Sequence, residues 1–95
     1  MLISVQLLGH FRRYLIEEIN ELELPNGADF FDLLEKLKGF CHDDFENEVI
    51  HLIKTNKNLQ FLIFINGKSI GSIGVENLEL YEGDNVMFLP PMSGG

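Results

Sequence analysis

The chain has 95 residues, with 15 acidic against 7 basic side chains, a formal net charge of −8 at pH 7, and 45% hydrophobic residues. This length and composition predict one globular domain over residues 1–95 and exclude an intrinsically disordered chain. The acidic surface makes nucleic acid a poor partner and a basic protein surface a better one. No apolar run approaches the roughly 18 residues of a membrane span. The first residues lack a signal-peptide pattern, and the single cysteine excludes a disulfide framework and suits the cytoplasm.

Two strands are predicted at the start of the chain. Apolar and polar residues alternate at first along Leu2–Leu8, which is typical of a half-buried strand. The segment Gly9–Arg13 is interpreted as a turn, and Glu21–Leu24 alternates again. We therefore expect a second strand that forms a hairpin with the first.

Two helices are predicted in the middle of the chain. Asp29 is a candidate N-cap, with Asp32 three positions later in a capping-box arrangement, and Gly39 ends the helix. The apolar stripe of this main helix consists of Phe30, Leu33, Leu34 and Leu37. A shorter stripe predicts a second helix, closed by residues 56–58, and consists of Phe45, Val49, Leu52 and Ile53.

The remaining segments predict a mixed sheet. Gln60–Ile65 is apolar on both faces and stops at an Asn-Gly turn, which indicates a central strand. We interpret Lys68–Val75 as loop with a short extended piece, Leu78–Leu80 as an edge segment and Asn85–Leu89 as the last strand. The predicted fold class is α+β: a mixed sheet of four to five strands, one main helix on one face, and a second short helix inserted.

The usual catalytic and metal-binding patterns are missing. The three histidines lack ligand spacing, and Cys41-His42 is a weak zinc signal without further cysteines. Asp43-Asp44 fits a solvated helix start better than a catalytic carboxylate pair, and the glycines match no phosphate-binding loop. We therefore predict no metal site and no active site within the chain itself.

The alternation of the strands predicts two apolar sheet faces. One set is expected to face the main helix: Ile3, Val5, Leu7, Phe61, Ile63, Ile65, Val86 and Phe88. The opposite set is then Leu8, Leu62, Phe64, Met87 and Leu89. Because one helix covers one face, the second set is predicted to bind a partner protein, with the inserted helix covering it as the alternative.

The last residues form a distinctive tail, at about positions 90–95. Pro90 and Pro91 end the strand, Met92 and Ser93 follow, and Gly94 and Gly95 can pass through a narrow slot because glycine has no Cβ. We expect this flexible tail to carry a terminal carboxylate into the active site of another protein. Residues 90–93 would contact that partner.

Four segments carry a family resemblance. They are Leu22–Pro25, the helix start Asp29–Leu34, Ile65–Gly67 and above all Glu82–Gly95, in which a Gly-Asp turn, a strand and Pro-Pro precede the terminal Gly-Gly. Together with the first strand, they resemble the MoaD/ThiS-type sulfur carriers of the ubiquitin-like β-grasp fold. The Pro-Pro form is closest to the small subunit of molybdopterin synthase, and Met92 and Ser93 replace the commoner valine and alanine.

The resemblance implies a carrier that is a co-substrate of partner enzymes and not itself an enzyme. An E1-like ATP-dependent enzyme would adenylate the Gly95 carboxylate, with Gly94 supplying a slender approach. A sulfur donor such as a cysteine desulfurase or rhodanese would then convert the transient acyl-adenylate to a C-terminal 1-thioglycine. The large subunit of molybdopterin synthase would receive the tail, and no cofactor would be bound permanently.

Three alternatives stay open at this point. The carrier could serve thiamine synthesis or tRNA thiolation, although thiamine carriers usually lack the double proline. The protein could instead be a ubiquitin-like modifier conjugated through Gly95, or a β-grasp interaction module whose tail has no chemistry.

Overall fold

A mixed sheet of five strands is the framework of the computed structural model, which describes residues 1–55, 61–70 and 78–90. The strands are β1 (Leu2–Leu7), β2 (Glu21–Glu23), β3 (Leu62–Ile65), β4 (Lys68–Ile70) and β5 (Asn85–Leu89). Their order across the sheet is β2-β1-β5-β3-β4. β1 and β5 are parallel, and the other neighbouring pairs are antiparallel. The last strand of the sequence therefore lies at the centre of the sheet.

The register places the predicted inward set on one face. Val5 lies opposite Val86, and Ile63 lies opposite Phe88, so that these side chains point the same way. All members of the predicted set are buried except Ile65, which is partly buried and packs on the same core. The prediction of which residues face the main helix is therefore confirmed.

The main helix, α1 (Phe30–Lys38), begins and ends as predicted. The Asp29 carboxylate accepts a hydrogen bond from the Asp32 backbone N–H at 2.8 Å, and the Asp32 carboxylate accepts one from the Asp29 N–H at 3.0 Å. This capping box satisfies donors that have no partner within the helix. The apolar stripe is fully buried, and Gly39 is the C-cap residue.

The segment Gly9–Arg13 was predicted as a turn, and it forms most of a 3-10 helix, Gly9–Tyr14. A 3-10 helix has three residues per turn, so Phe11 and Tyr14 project from the same side and are both buried. Their rings contact Phe61 and Phe45, at centroid distances of 5.3 and 5.5 Å. Burial of these two aromatic rings explains why this connection is helical.

The inserted helix starts with a π-helical stretch, Glu46–Ile50, and continues as α2 (His51–Lys54). It buries Val49, Ile50 and Ile53, whereas Leu52 is only partly buried. Leu52 still packs against the core, so the predicted stripe is confirmed, but it lacked the buried Ile50. The i→i+5 bonding widens the turn and brings Ile50 to the inward face. The predicted helix end at residues 56–58 lies outside the described residues.

Two turns are joined at the end of the sheet where β5 begins. Asn66 adopts a positive φ of 53° in the β3–β4 turn. Its side-chain amide donates to the Asp84 carboxylate at 2.9 Å, and its amide oxygen accepts from the Asn85 N–H at 2.9 Å. The predicted edge segment Leu78–Leu80 forms an isolated bridge in which Glu79 pairs with Asp29. Of the predicted loop Lys68–Val75, residues 68–70 form β4 and the rest lies outside the described residues.

Candidate partner-binding face and tail exit

The face of the sheet opposite the helices, here called the open face, has an apolar centre. It is formed by Leu8, Leu62, Phe64, Met87 and Leu89, each of them partly exposed. Leu62 lies opposite Leu89 and Phe64 opposite Met87, so β3 and β5 present adjoining apolar pairs. These five side chains are the ones predicted from the alternation, and none of them belongs to the buried core.

Both helices pack on the other side of the sheet. The rings of Phe30 and Phe45 lie 6.3 and 6.4 Å from the ring of the inward-facing Phe88. The inserted helix therefore enlarges the core and, within the part of the chain that the structure describes, does not cover the open face. This arrangement favours the predicted partner surface over the alternative of a covered face.

Polar residues surround the apolar centre. Gln6 lies opposite Met87, Ser69 opposite Phe64, and Ser4 opposite Asn85, so all four polar positions share the open face. An apolar centre with a polar rim is the ordinary anatomy of a protein–protein interface.

The β2 edge of the open face is acidic. Glu21 lies beside Ser4 and Glu23 beside Leu2, and both glutamates are exposed. Since the whole chain carries a formal charge of −8, a basic partner surface would be attracted to this edge.

The tail leaves the sheet at the end of β5. The Leu8 N–H donates to the Phe88 carbonyl at 2.9 Å, which extends the β1–β5 pairing by one residue. Pro90 follows and lies against Gly9, whose φ is +59°. Pro91, Met92, Ser93, Gly94 and Gly95 lie outside the described residues, so their predicted roles stay predictions. Sequence reasoning missed Gly9, although a glycine directly after a strand was an available signal.

Cys41 and its neighbour His42 form no reactive pair. Burial raises the pKa of the Cys41 thiol to about 11, so at neutral pH it is protonated and a poor nucleophile. Among residues 1–55, 61–70 and 78–90, no three histidine, cysteine or carboxylate side chains come together as a possible metal site. No helix in those ranges is long and apolar enough to cross a membrane.

Comparison with known proteins identifies the family. The model of the ThiS family matches residues 5–95. The chain belongs to the ThiS family. This membership confirms the resemblance to MoaD/ThiS-type sulfur carriers that the tail and the strand pattern indicated. No curated protein matches this ThiS-family chain.

A solved structure has the same fold as this ThiS-family chain. It is described as the protein–protein complex of subunits 1 and 2 of molybdopterin-converting factor from Helicobacter pylori. The match has a TM-score of 0.61 and 21% sequence identity, and it covers 100% of both chains. It confirms the predicted ubiquitin-like β-grasp fold.

Proposed function

We propose that this protein is the small subunit of a molybdopterin synthase, a sulfur carrier that acts through a thiocarboxylate on Gly95. The observation that carries the proposal is the match to the ThiS family, which extends through the diglycine at residues 94–95. The likeness to a chain of the molybdopterin-converting factor complex and the Pro90-Pro91 pair support this pathway over thiamine synthesis.

The chemistry starts from a carboxylate that is unreactive until it is activated. An oxygen of the Gly95 carboxylate attacks the α-phosphorus of ATP, pyrophosphate leaves, and an acyl-adenylate forms. The terminal sulfur of a persulfide then attacks the acyl carbon, and AMP leaves. A thiol cleaves the resulting S–S bond, which leaves the thiocarboxylate on the carrier and a disulfide on the donor side.

The chain supplies the substrate group and its delivery, and the partners supply the catalysis. The proposed partners are an E1-like adenylating enzyme, a cysteine desulfurase or rhodanese, and the large synthase subunit. The open face would hold a partner while the tail enters its active site. Because this sequence of reactions uses ATP and reduced thiols, the proposed function includes a location in the cytoplasm.

The test is the intact mass of the protein produced in its own host. We expect a population heavier by the difference between one sulfur and one oxygen atom, and it should be missing from a variant that lacks Gly95. Addition of the purified large subunit and a pterin precursor should return the mass to that of the carboxylate. If only the unmodified mass is found after incubation with ATP, a sulfur donor and host lysate, the proposal is wrong.

A further inference from the structure

We propose that Gly9 is a positioning residue that sets where the C-terminal tail leaves the sheet. The contact itself is a feature of the described fold, and its consequence for sulfur transfer rests on the function proposed above. The contact is made by Pro90, the first residue of the tail and the last one before the undescribed residues 91–95.

Gly9 is held in place on both of its sides. The preceding residue, Leu8, donates its N–H to the Phe88 carbonyl at 2.9 Å. The following 3-10 helix is anchored by Phe11, which is buried and whose N–H donates to the Leu8 carbonyl at 3.2 Å. The backbone at Gly9 is therefore a fixed surface beside the end of β5.

Pro90 lies so close to this surface that no side chain fits between them. A Cβ built on Gly9 would lie 2.7 Å from Cγ of Pro90 and 3.1 Å from its Cδ. The contact at 2.7 Å is shorter than real Cβ contacts, so any other residue at position 9 would displace the proline ring or the backbone.

Pro90 cannot donate a backbone hydrogen bond to either neighbouring strand. Leu89 is the last residue of β5 and is paired with Leu62 on β3. Proline has no N–H, so the sheet hydrogen bonding cannot continue through the nitrogen of Pro90. The packing of its ring on Gly9 is therefore a contact that can position Pro90 where the donor side of the sheet hydrogen bonding ends.

The consequence is a defined starting point for a segment that must reach a partner's active site. Effective catalysis needs the reacting carbon placed to within about 1 Å, and such a misplacement can lower a rate by about 100-fold. A displaced Pro90 would move the origin of the tail relative to the open face on which the partner binds.

The first experiment is a structural one on the protein alone. The wild type should show nuclear Overhauser effects between the Gly9 Hα protons and the Pro90 ring protons. If they are missing from a well-folded wild-type sample, the inference is overturned whether or not the protein carries sulfur.

The second experiment compares Gly9→Ala with Gly27→Ala. Gly27 also has a positive φ, of +90°, but a Cβ there would meet no atom within 4 Å. Gly27 lies three residues after Leu24, whose N–H donates to the Met1 carbonyl. Met1 is at the opposite end of β1 from Gly9, so Gly27 is far from the tail. Gly27→Ala therefore reports backbone strain without the steric effect on Pro90.

We expect kcat/KM for thiocarboxylate formation to fall roughly tenfold or more in Gly9→Ala and to stay within about twofold in Gly27→Ala. Relief of the clash should restore much of the loss, so Gly9→Ala should have a smaller relative effect in a Pro90→Gly background. Equal rates for the two alanine variants, or an equal effect of Gly9→Ala in both backgrounds, would contradict the inference.

Gly9→Asn keeps the comparison informative if Gly9→Ala fails to fold. Asparagine tolerates a positive φ better than alanine but still adds a Cβ, so it should show the same loss of rate. If the wild type itself never becomes thiolated, the proposed function fails, and the proton contacts between Gly9 and Pro90 still decide the structural part.

Discussion

At the scale of single residues, Phe64 and Met87 are the positions on the open face where a substitution tests partner binding best. They lie opposite each other on β3 and β5, at the centre of a polar rim. Neither side chain belongs to the core, so a polar substitution here should affect binding more than folding. Central aromatic residues are frequently the ones that dominate binding energy in interfaces.

Phe64→Asp should weaken binding of the large subunit by about 2 kcal/mol or more, because a carboxylate would be buried against an apolar partner surface. The measurement is titration calorimetry with the purified large subunit. Ile16→Asp is the matched control, since Ile16 is 61% exposed and its N–H donates to the Phe40 carbonyl just after α1, outside the open face. Equal affinity of Phe64→Asp and the wild type would show that the partner binds elsewhere.

At the scale of elements, Asn66 connects the β3–β4 turn to the residues that begin β5. It forms two side-chain hydrogen bonds, one to the Asp84 carboxylate and one from the Asn85 N–H. It also occupies the left-handed backbone region, which asparagine tolerates better than most residues. A single side chain thus fixes how two turns far apart in sequence meet.

Two substitutions at Asn66 separate its hydrogen bonds from its backbone conformation. Asn66→Gly should lower the free energy of unfolding by about 1 kcal/mol, because it removes the bonds but accepts the positive φ. Asn66→Ala should lose about 1 kcal/mol more, since it also strains the backbone. Urea denaturation would measure both values. An Asn66→Gly variant as stable as the wild type would mean that the bonds contribute nothing net.

The sequence predicted the elements whose signals are local. Spacing and alternation were enough to predict the Asp29 capping box, the apolar stripe of α1 and the bounds of β5. The π-helical stretch was not predicted, because the apolar spacing of a second helix predicts ordinary α-helical turns, and the burial of Ile50 follows from the wider turn. The 3-10 helix was missed because it is stabilised by contacts of Phe11 and Tyr14 with residues distant in the sequence.

The candidate site also has one part that local sequence signals predicted and one part that they did not. Alternation along β1, β3 and β5 was enough to predict the apolar centre of the open face. The contact between Gly9 and Pro90 joins residues 81 positions apart in the sequence, and only the parallel pairing of β1 with β5 brings them together. A glycine directly after the first strand marked one side of the contact, but no local pattern could indicate that Pro90 is its partner.

At the scale of the whole molecule, the buried thiol of Cys41 links stability to alkaline pH. Its pKa rises from the ordinary 9.0 to about 11 in the folded protein, because burial disfavours the thiolate. Below pH 9.0 the thiol is protonated in both the folded and the unfolded states, and folding is independent of its charge. Between the two values the unfolded chain releases the proton and the folded protein retains it, so unfolding becomes more favourable as the pH rises.

Comparison with Cys41→Ala isolates this effect from the other groups that titrate at alkaline pH. The wild type should be more stable than the variant by about 1 kcal/mol below pH 9.0, because the thiol fills space in the core. This advantage should shrink as the pH approaches 11. Urea denaturation of both proteins across this range measures it, and a constant difference would contradict the assigned burial of the thiol.

The central position of β5 determines how the domain would respond to a force applied to its tail. A pull on Pro90 along β5 is resisted on both sides, by β1 with Leu8 and by β3 through Leu62 and its neighbours. Such a force would load the hydrogen bonds of both ladders in parallel, as in shear, and would not open them one at a time as in a zipper. A force on the tail would therefore be shared by the strands on both sides of β5 at once.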